Sequence, residues 1–481
     1  MVFLFPIWLF SFELCHDRIF TFEMHHRFSE PVKSWSKSTR RLPHLPVEGT
    51  FEYHAVLAHR DRLFGGRILA DFKGPFAFSD GNSTYRISSL GFLHYTTVQL
   101  GTPGVKFMVT LDTGSDLFWV PLVVVGTLNK ANLLWQDFEL NVYNPRGSST
   151  SRRVPCISSL CAHRNCCLGT FSNCPYEVSY ISAQIATSGI LVEAVLHLRI
   201  EDSHQESVKA YVTFGCGQAQ SGSFLDVAAP NGLFGLGMEK ISVPSILSQE
   251  GLTADSFSMC FGHDGIGRIS FGDKGSPDKN ETPFNLNPSC PTYNISATQI
   301  RVGTALIDSE FTALWCSCWG MHPAYHFGHI ALGAWVYCFF VPWGEASPGV
   351  EPKVSFKRLS QACDKQHSPD SRIPFEYCYD MSPDTNASLT PSMSLTMKGG
   401  GLFAIYDPII VISTKSQLVY CLAIIKSTEM NIIGQNFLTG HRVVFDREKL
   451  VLGGKKFDCK HCFASYAYFS SMLSYDGLNN L

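Results

Sequence analysis

The sequence has few charged residues and lacks long apolar runs. Only 16% of its 481 residues are Asp, Glu, Lys or Arg, and the formal net charge is −3, so nothing favours a nucleic-acid or anionic-membrane partner. No apolar stretch reaches the roughly 18 residues that a membrane-spanning helix needs. The motifs Gly-x-Ser-x-Gly and His-Glu-x-x-His are also missing, which argues against a serine hydrolase or a zinc metalloprotease.

Glycine, aromatic residues and cysteine are plentiful instead. The 39 glycines and the 13% aromatic content favour a mostly β protein, and 481 residues suffice for two or more domains. The 17 cysteines are too many for a typical cytosolic chain. They predict the secretory pathway, with the extracellular space, the vacuole or the cell surface as destinations. Four acceptor sequons for glycosylation agree with that location: Asn82, Asn280, Asn294 and Asn386.

The two ends of the chain predict processing segments. Residues 1–20 are interpreted as a signal peptide because Met1–Phe10 is apolar, although a basic start and a small-x-small cleavage site are missing. A wrong start codon or a damaged leader is the alternative. Residues 21–89 are basic and partly helical in period, and they are interpreted as a pro-segment, with a disordered basic linker as the alternative. The tail, 461–481, is aromatic and polar, unlike an anchor-addition signal.

An apolar strand runs into a carboxylate at Asp112, and Thr113, Gly114 and Ser115 follow before a second apolar strand. A partly buried carboxylate needs partners. This turn supplies them, since glycine brings backbone amides close and hydroxyls donate hydrogen bonds. The run resembles the catalytic motif of the pepsin-like aspartic proteases and, within them, of the plant nepenthesin-like group.

The resemblance covers residues 90–460 apart from two gaps. It implies a mostly β, bilobal acid-protease fold, in which two lobes of a six-stranded type flank a central cleft. The N-terminal lobe would span 90–290 and carry the catalytic-type aspartate. The C-terminal lobe would span 291–460. A basic pro-segment in this family covers the acidic cleft of the zymogen.

Two further elements of the first lobe match the family. Tyr180 falls at the tyrosine of the flap, the hairpin that closes over substrate; without the upstream motif it would be interpreted as a surface tyrosine. Leu233-Phe234-Gly235 resembles the element that threads beneath the catalytic loop, where glycine permits close backbone packing. Ile432-Ile433-Gly434 would be its counterpart in the second lobe.

Five cysteines crowd the stretch after a polar loop and resemble the cysteine-rich insertion of the nepenthesin-like group. The resemblance implies a loop held by disulfides, although the family also places cysteines in the stretch Leu122–Trp135, where this chain has none. Those of the five that would pair with the missing cysteines are expected to be unpaired or to pair with one another. A zinc site is the competing interpretation, but the spacing fits no standard ligand pattern. The five are Cys156, Cys161, Cys166, Cys167 and Cys174.

The second catalytic aspartate that the family requires is missing. After Leu314 the family continues with an apolar residue and Asp-Thr-Gly-Thr or Asp-Thr-Gly-Ser, but the segment 315–353 is aberrant. Trp315–Gly344 contains no Asp, Glu, Lys or Arg. One explanation of this segment is that it is translated intron or wrong-frame sequence. A second is that the protein has truly lost the aspartate. The third is a metal site formed by Cys316, Cys318, His322, His326 and His329, whose spacing fits no standard zinc motif.

Two other aspartates do not replace the missing one. Asp308 follows apolar residues, but it lacks the glycine turn and lies too early, so a surface turn is the better interpretation. Asp116 directly follows the first motif and is expected to have a local structural role. The catalytic set predicted from the sequence is therefore Asp112, supported by Thr113, Gly114 and Ser115.

The resemblance implies an aspartic endopeptidase that acts on polypeptides without a metal or another cofactor and is monomeric. One ionised carboxylate would activate a water molecule, and one protonated carboxyl would polarise the scissile carbonyl. Such a pair shares one proton and works best in acid. With one aspartate, this polypeptide is expected to have little or no activity. The alternative is a non-catalytic, inhibitor-type binding protein on the same fold.

Overall fold

The protein is described from a computed structural model, and the two ends together with most of 315–353 lie outside the described residues. Asn82 and Asn386 also lie outside them, as do the cysteines and histidines of the hypothetical metal site. The described residues are 18–38, 46–65, 77–80, 83–86, 93–122, 141–180, 185–200, 207–221, 229, 231–286, 293–302, 305–314, 327–328, 338–340, 375, 378–380, 393–405, 409–413, 418–426 and 433–459.

Strands dominate these residues, which confirms the predicted mostly β class. The strands are β1 Phe20–His26, β2 Ala77–Asp80, β3 Ser83–Arg86, β4 His94–Leu100, β5 Val105–Asp112, β6 Trp119–Pro121, β7 Arg152–Arg153, β8 Pro175–Tyr180, β9 Ile185–Arg199, β10 Ser207–Gln220, β11 Leu233–Gly235, β12 Ser256–Cys260, β13 Ile266–Phe271, β14 Asn280–Pro283, β15 Asn294–Val302, β16 Ala305–Leu314, β17 Phe327–Gly328, β18 Cys338–Phe340, β19 Cys378–Asp380, β20 Met393–Met397, β21 Leu402–Ile405, β22 Ile409–Ser413, β23 Leu418–Leu422, β24 Ile424–Lys426, β25 His441–Asp446 and β26 Val451–Lys456.

Helices are short and few among the described residues. They are α1 Glu30–Ser38, α2 Phe51–Gly65, α3 Val243–Gln249 and α4 Gln435–Leu438, with 3-10 turns at Pro145–Gly147 and Arg164–Cys166. Within the described part of the chain, no helix is long and apolar enough to cross a membrane.

One 15-stranded sheet contains most of the described strands. Its order is β14-β26-β25-β12-β13-β1-β4-β5-β11-β6-β10-β9-β8-β17, with β7 paired to β9 off this path. In β5 the side chains of Phe107, Val109 and Leu111 are buried on one face, and Thr110 and Asp112 at its end are buried on the other. The sheet thus places β5, which ends at Asp112, among buried strands.

Strand β1 lies in the middle of this sheet, at the predicted boundary between signal peptide and pro-segment. Phe20 pairs with Phe271 in β13, and His26 pairs with His94 in β4. Helix α2 follows and is buried along most of its length, including an ion pair between Arg60 and Asp61 at 2.7 Å. Residues of β1, α1 and α2 therefore form part of the core.

A second sheet, β16-β15-β20-β21, follows in the C-terminal half. Strand β16 ends at Leu314, directly opposite Asn294 in β15. Asn294 is next in sequence to Tyr293, which is fully buried. The strand that leads to the missing motif is thus formed as far as Leu314.

Candidate active site

Asp112 ends β5 at a point where three strands meet. Strand β11 runs parallel to β5, with Gly235 opposite Asp112, and also contacts β6 at Trp119. A Cβ atom on Gly235 would lie 2.3 Å from the backbone oxygen of Asp116. This confirms that the Leu233–Gly235 element threads beneath the turn and requires glycine there.

The carboxylate of Asp112 is fully buried and held on both oxygens. The backbone amide of Gly114 donates to Oδ1 at 2.9 Å, and the hydroxyl of Ser115 donates to Oδ2 at 2.6 Å. The backbone is fixed as well, since the amide of Leu236 donates to the carbonyl of Asp112 at 2.7 Å. Two of the residues expected to support Asp112, Gly114 and Ser115, therefore hold its carboxylate.

Burial dominates the ionisation of Asp112. The pKa of Asp112 is raised to about 7, mainly by loss of solvent. The hydrogen bonds from Ser115 and Gly114 oppose this rise, and the charge of Asp116 adds to it. Because a raised pKa favours the neutral acid, the carboxyl of Asp112 is mostly protonated in acid and becomes ionised around neutral pH.

Asp116 has contacts of a structural kind. Its Oδ1 accepts a hydrogen bond from the backbone amide of Glu239 at 2.8 Å, and a Cβ atom on Gly237 would lie 2.2 Å from the same oxygen. These contacts pin the segment after β11 against the turn. Asp308 lies within β16, paired with Gln299, rather than in a turn.

Tyr180 lies at the end of β8, buried beside the carboxylate. The indole Nε1 of Trp119 donates to the hydroxyl of Tyr180 at 3.2 Å, and Tyr180 and Ser115 share a hydrogen bond. Burial raises the pKa of Tyr180 and the charge of Asp112 raises it further. The tip of the hairpin, 181–184, lies outside the described residues.

Sequence reasoning missed two residues of this site. Trp119 anchors Tyr180, and its only signal was its place in the apolar strand after the motif. Tyr293 has no motif around it that predicts a role in the site, yet its hydroxyl donates to the carbonyl of Leu236 at 2.8 Å. Leu236 in turn donates to the backbone of Asp112, so Tyr293 supports the catalytic-type loop from the C-terminal half.

The crowded cysteines form disulfides, as predicted. The pairs are Cys156–Cys167 and Cys161–Cys174, while Cys166 is exposed and unpaired. The sulfurs of Cys156, Cys161 and Cys167 lie within 4.8 Å of one another, but the two bonds account for that proximity. Distant pairs also occur, at Cys260–Cys459 and Cys378–Cys421.

The two described sequons differ in accessibility. Asn280 is exposed on β14, whereas Asn294 is half-buried and its Oδ1 lacks a hydrogen-bond partner among the described residues. Glycosylation at either asparagine remains a prediction, and the exposed Asn280 is the better acceptor.

Removing the hydroxyl of Ser115 is expected to raise the pKa of Asp112. In Ser115→Ala the carboxylate loses a charge-assisted hydrogen bond, which corresponds to about one pKa unit above the starting value. Carboxyl bands in infrared titrations measure the shift, with Asp112→Asn identifying the band. Ser115→Thr retains a hydroxyl and serves as the matched control. An unchanged pKa in Ser115→Ala would show that this bond does not stabilise the carboxylate.

Comparisons with known proteins agree with this geometry. The family described as Xylanase inhibitor N-terminal matches residues 94–273, and the one described as Xylanase inhibitor C-terminal matches 352–456. The unmatched stretch between them includes 315–351, most of the aberrant segment.

Sequence relatives cover most of the chain. Aspartyl protease family protein 1 of Arabidopsis thaliana is 48% identical over 443 residues, 92% of this chain and 81% of that protein. Aspartic proteinase-like protein 1 of the same plant is 33% identical over 467 residues, 92% of this chain and 82% of that protein.

Solved structures agree on the fold. The basic 7S globulin of soybean is 20% identical with a TM-score of 0.53, covering 76% of this chain and 93% of its own. Conglutin gamma of lupine seeds is 18% identical with a TM-score of 0.52, covering 79% and 93%.

Proposed function

The chain belongs to the pepsin-like aspartic protease family, and on that premise we propose that it is an aspartic-type endopeptidase whose present copy has lost most of its activity. Its reaction class is hydrolysis of peptide bonds at acid pH by a carboxylate-activated water. The observation that carries the proposal is Asp112, fully buried and hydrogen-bonded by Gly114 and Ser115 beneath Tyr180.

Each residue of the first half-site has a role in this proposal. Asp112 holds the attacking water, and Ser115 supports the ionised form of the carboxylate by its hydrogen bond. Gly114 supplies a backbone amide, and Thr113 is buried in the same turn. Tyr180 excludes water and walls the cleft, since a closed site strengthens electrostatic interactions.

A lone carboxyl is poorly suited to acid hydrolysis for two reasons. The general acid that would polarise the scissile carbonyl is missing. In addition, a carboxyl with a pKa of about 7 is ionised in about one molecule in a thousand at pH 4, so the general base is mostly neutral there. A second carboxyl that shares one proton with Asp112 would give the pair one charge in acid.

Hydrolysis of a denatured protein at about pH 4 tests the proposal. We expect little or no cleavage by the purified chain, and no difference from Asp112→Asn. Rapid cleavage that pepstatin blocks and that Asp112→Asn abolishes would show that one aspartate suffices, contrary to the proposal. Transcript sequencing across codons 310–355 is the companion experiment. If a spliced message encodes a second Asp-Thr-Gly, the protein made from it has both aspartates and we expect it to be fully active.

The remaining predictions complete the proposal. We propose passage through the secretory pathway, a signal peptide at 1–20, a pro-segment at 21–89, two lobes at 90–290 and 291–460, and a monomeric enzyme. The four disulfides among the described residues and the exposed sequon at Asn280 support secretion. The buried N-terminal segment supports a pro-segment that folds with the rest of the chain.

A non-catalytic binding protein is the second candidate. The matching family descriptions name xylanase inhibitors, and the second aspartate is missing from the sequence. The intact half-site around Asp112 argues against a long history without catalysis. Titration calorimetry with a xylanase separates the two candidates, because tight binding that survives Asp112→Asn supports the binding protein.

A further inference from the structure

The loop between Cys156 and Cys174, here called the knob, is cross-linked by two disulfides. Its two disulfides cross a span of only 19 residues, and a 3-10 turn at Arg164–Cys166 occupies its far end. The two sides pair through the bridge between Pro155 and Asn173. The knob therefore cannot collapse to bury its own side chains.

Three large apolar side chains of the knob point into solvent. Leu168 is fully exposed, Phe171 is 86% exposed and Ile157 is 58% exposed. They are neighbours, because the Cys156–Cys167 disulfide joins the positions next to Ile157 and Leu168, and the amide of Ile157 donates to the carbonyl of Thr170 at 3.1 Å. A contiguous exposed apolar patch of this kind usually marks an interaction surface.

The stretch of sequence that contains the patch is basic. Residues 141–176 contain no Asp or Glu, and all four arginines in this stretch are exposed. Arg152 is partly neutralised by Glu193 at 3.4 Å, whereas Arg164 is held on the knob by the carbonyl of Ser158 at 2.9 Å. The four are Arg146, Arg152, Arg153 and Arg164.

We propose that the knob docks on an anionic phospholipid bilayer. Leu168 and Phe171 would enter the boundary between head groups and acyl chains, and Arg153 and Arg164 would contact phosphate groups. Exposed apolar side chains flanked by exposed arginines match the two parts of an anionic bilayer, its acyl chains and its phosphates, which favours a bilayer over a protein. Salt screens interactions between charges that are more than about 10 Å apart. Binding to the bilayer therefore depends on the charges near the knob, and the net charge of −3 on the whole chain does not oppose it.

Partitioning to vesicles tests the proposal with the full chain, whether or not it hydrolyses peptides. Cys166→Ser is the background, since it removes the exposed thiol without touching a disulfide. We expect binding to vesicles of phosphatidylcholine with phosphatidylglycerol and much weaker binding to phosphatidylcholine alone. Phe171→Ser should lower the partition coefficient roughly tenfold or more, and Arg164→Glu roughly fivefold or more.

A leucine on another surface provides the matched control. Leu402 on β21 is 48% exposed, and Leu402→Ser should leave partitioning unchanged. As a direct reporter, Phe171→Trp should show blue-shifted emission and quenching by brominated lipids. The absence of vesicle binding, or an equal loss in Leu402→Ser, would overturn the proposal. If the protein self-associates through Phe171 and does not bind vesicles, the bilayer proposal is wrong and the partner of the knob is a second copy of this chain.

Discussion

Replacing the aberrant segment with a second catalytic motif is expected to create protease activity. The replacement removes 315–353, places an apolar residue and Asp-Thr-Gly-Thr directly after Leu314, and rejoins the chain at Val354. Because a positioned acid–base group contributes about 10²–10⁴-fold, hydrolysis at about pH 4 should rise by that factor. Cleavage of a quenched peptide, with and without pepstatin, measures the gain.

The structure explains why the motif belongs there. Strand β16 ends at Leu314 opposite Asn294, and the hydroxyl of the adjacent Tyr293 donates to the carbonyl of Leu236. The amide of Leu236 donates to the carbonyl of Asp112. The end of β16 is thereby connected to the backbone of the first aspartate through two hydrogen bonds.

Two matched variants separate catalysis from folding. The same graft with Asn in place of its aspartate, and the complete graft in the Asp112→Asn background, should both remain inactive. All three proteins should retain the near-ultraviolet circular dichroism of a packed core. A folded double-aspartate graft that binds pepstatin but does not hydrolyse peptides would contradict the view that the missing carboxyl limits activity.

Acidification is expected to destabilise the N-terminal segment through buried histidines. His26 in β1 and His94 in β4 are both buried, and their ring centroids lie 5.2 Å apart. Burial, together with the charges of Arg60, Arg27 and Lys33, lowers the pKa of His26 to about 3. Burial and the neighbouring His26 hold the pKa of His94 well below its usual value.

The direction of the effect follows from these lowered pKa values. In the unfolded chain each histidine is protonated below about pH 6.5. In the folded chain His26 stays neutral down to about pH 3. Stability is therefore complete above the unfolded value and falls as the pH drops through this window. At pH 4 the loss from His26 alone is about 3 kcal/mol.

Denaturant unfolding at fixed pH values between 7 and 4 tests this expectation. The double variant His26→Gln, His94→Gln should lose less free energy of unfolding over this range than the unmodified chain. The knob residue His163 provides the control, and His163→Gln should keep the original pH dependence. If the double variant and the unmodified chain lose the same free energy, other groups cause the acid sensitivity.

Local patterns in the sequence predicted the half-site well. The apolar alternation before Asp112 and the glycine turn after it are properties of consecutive residues, and they fix β5 and the bonds to Gly114 and Ser115. The close packing at Gly235 was also predictable, because only glycine fits where a Cβ would lie 2.3 Å from a backbone oxygen. Such features need no knowledge of distant partners.

Features that depend on distant pairing were not predictable. The histidines of β1 lie in a basic stretch that was interpreted as part of a helical pro-segment, yet this strand pairs with β4 and β13. Strand period gives the face of a residue but not its partner strand. The bond between Cys260 and Cys459 was equally hidden, since cysteine spacing does not determine connectivity.

The central position of β1 also governs how the chain can fold during synthesis. Strand β1 is synthesised before its partner β13, which is complete only when Phe271 has been added. Strand β12 likewise lacks its partner β25 until His441–Asp446 has been synthesised. Until those residues emerge, strands with unpaired edges are exposed to wrong partners. A message that stops or shifts frame before β25 would leave the sheet incomplete, so translation through to the last strands is a condition for every earlier strand to be protected.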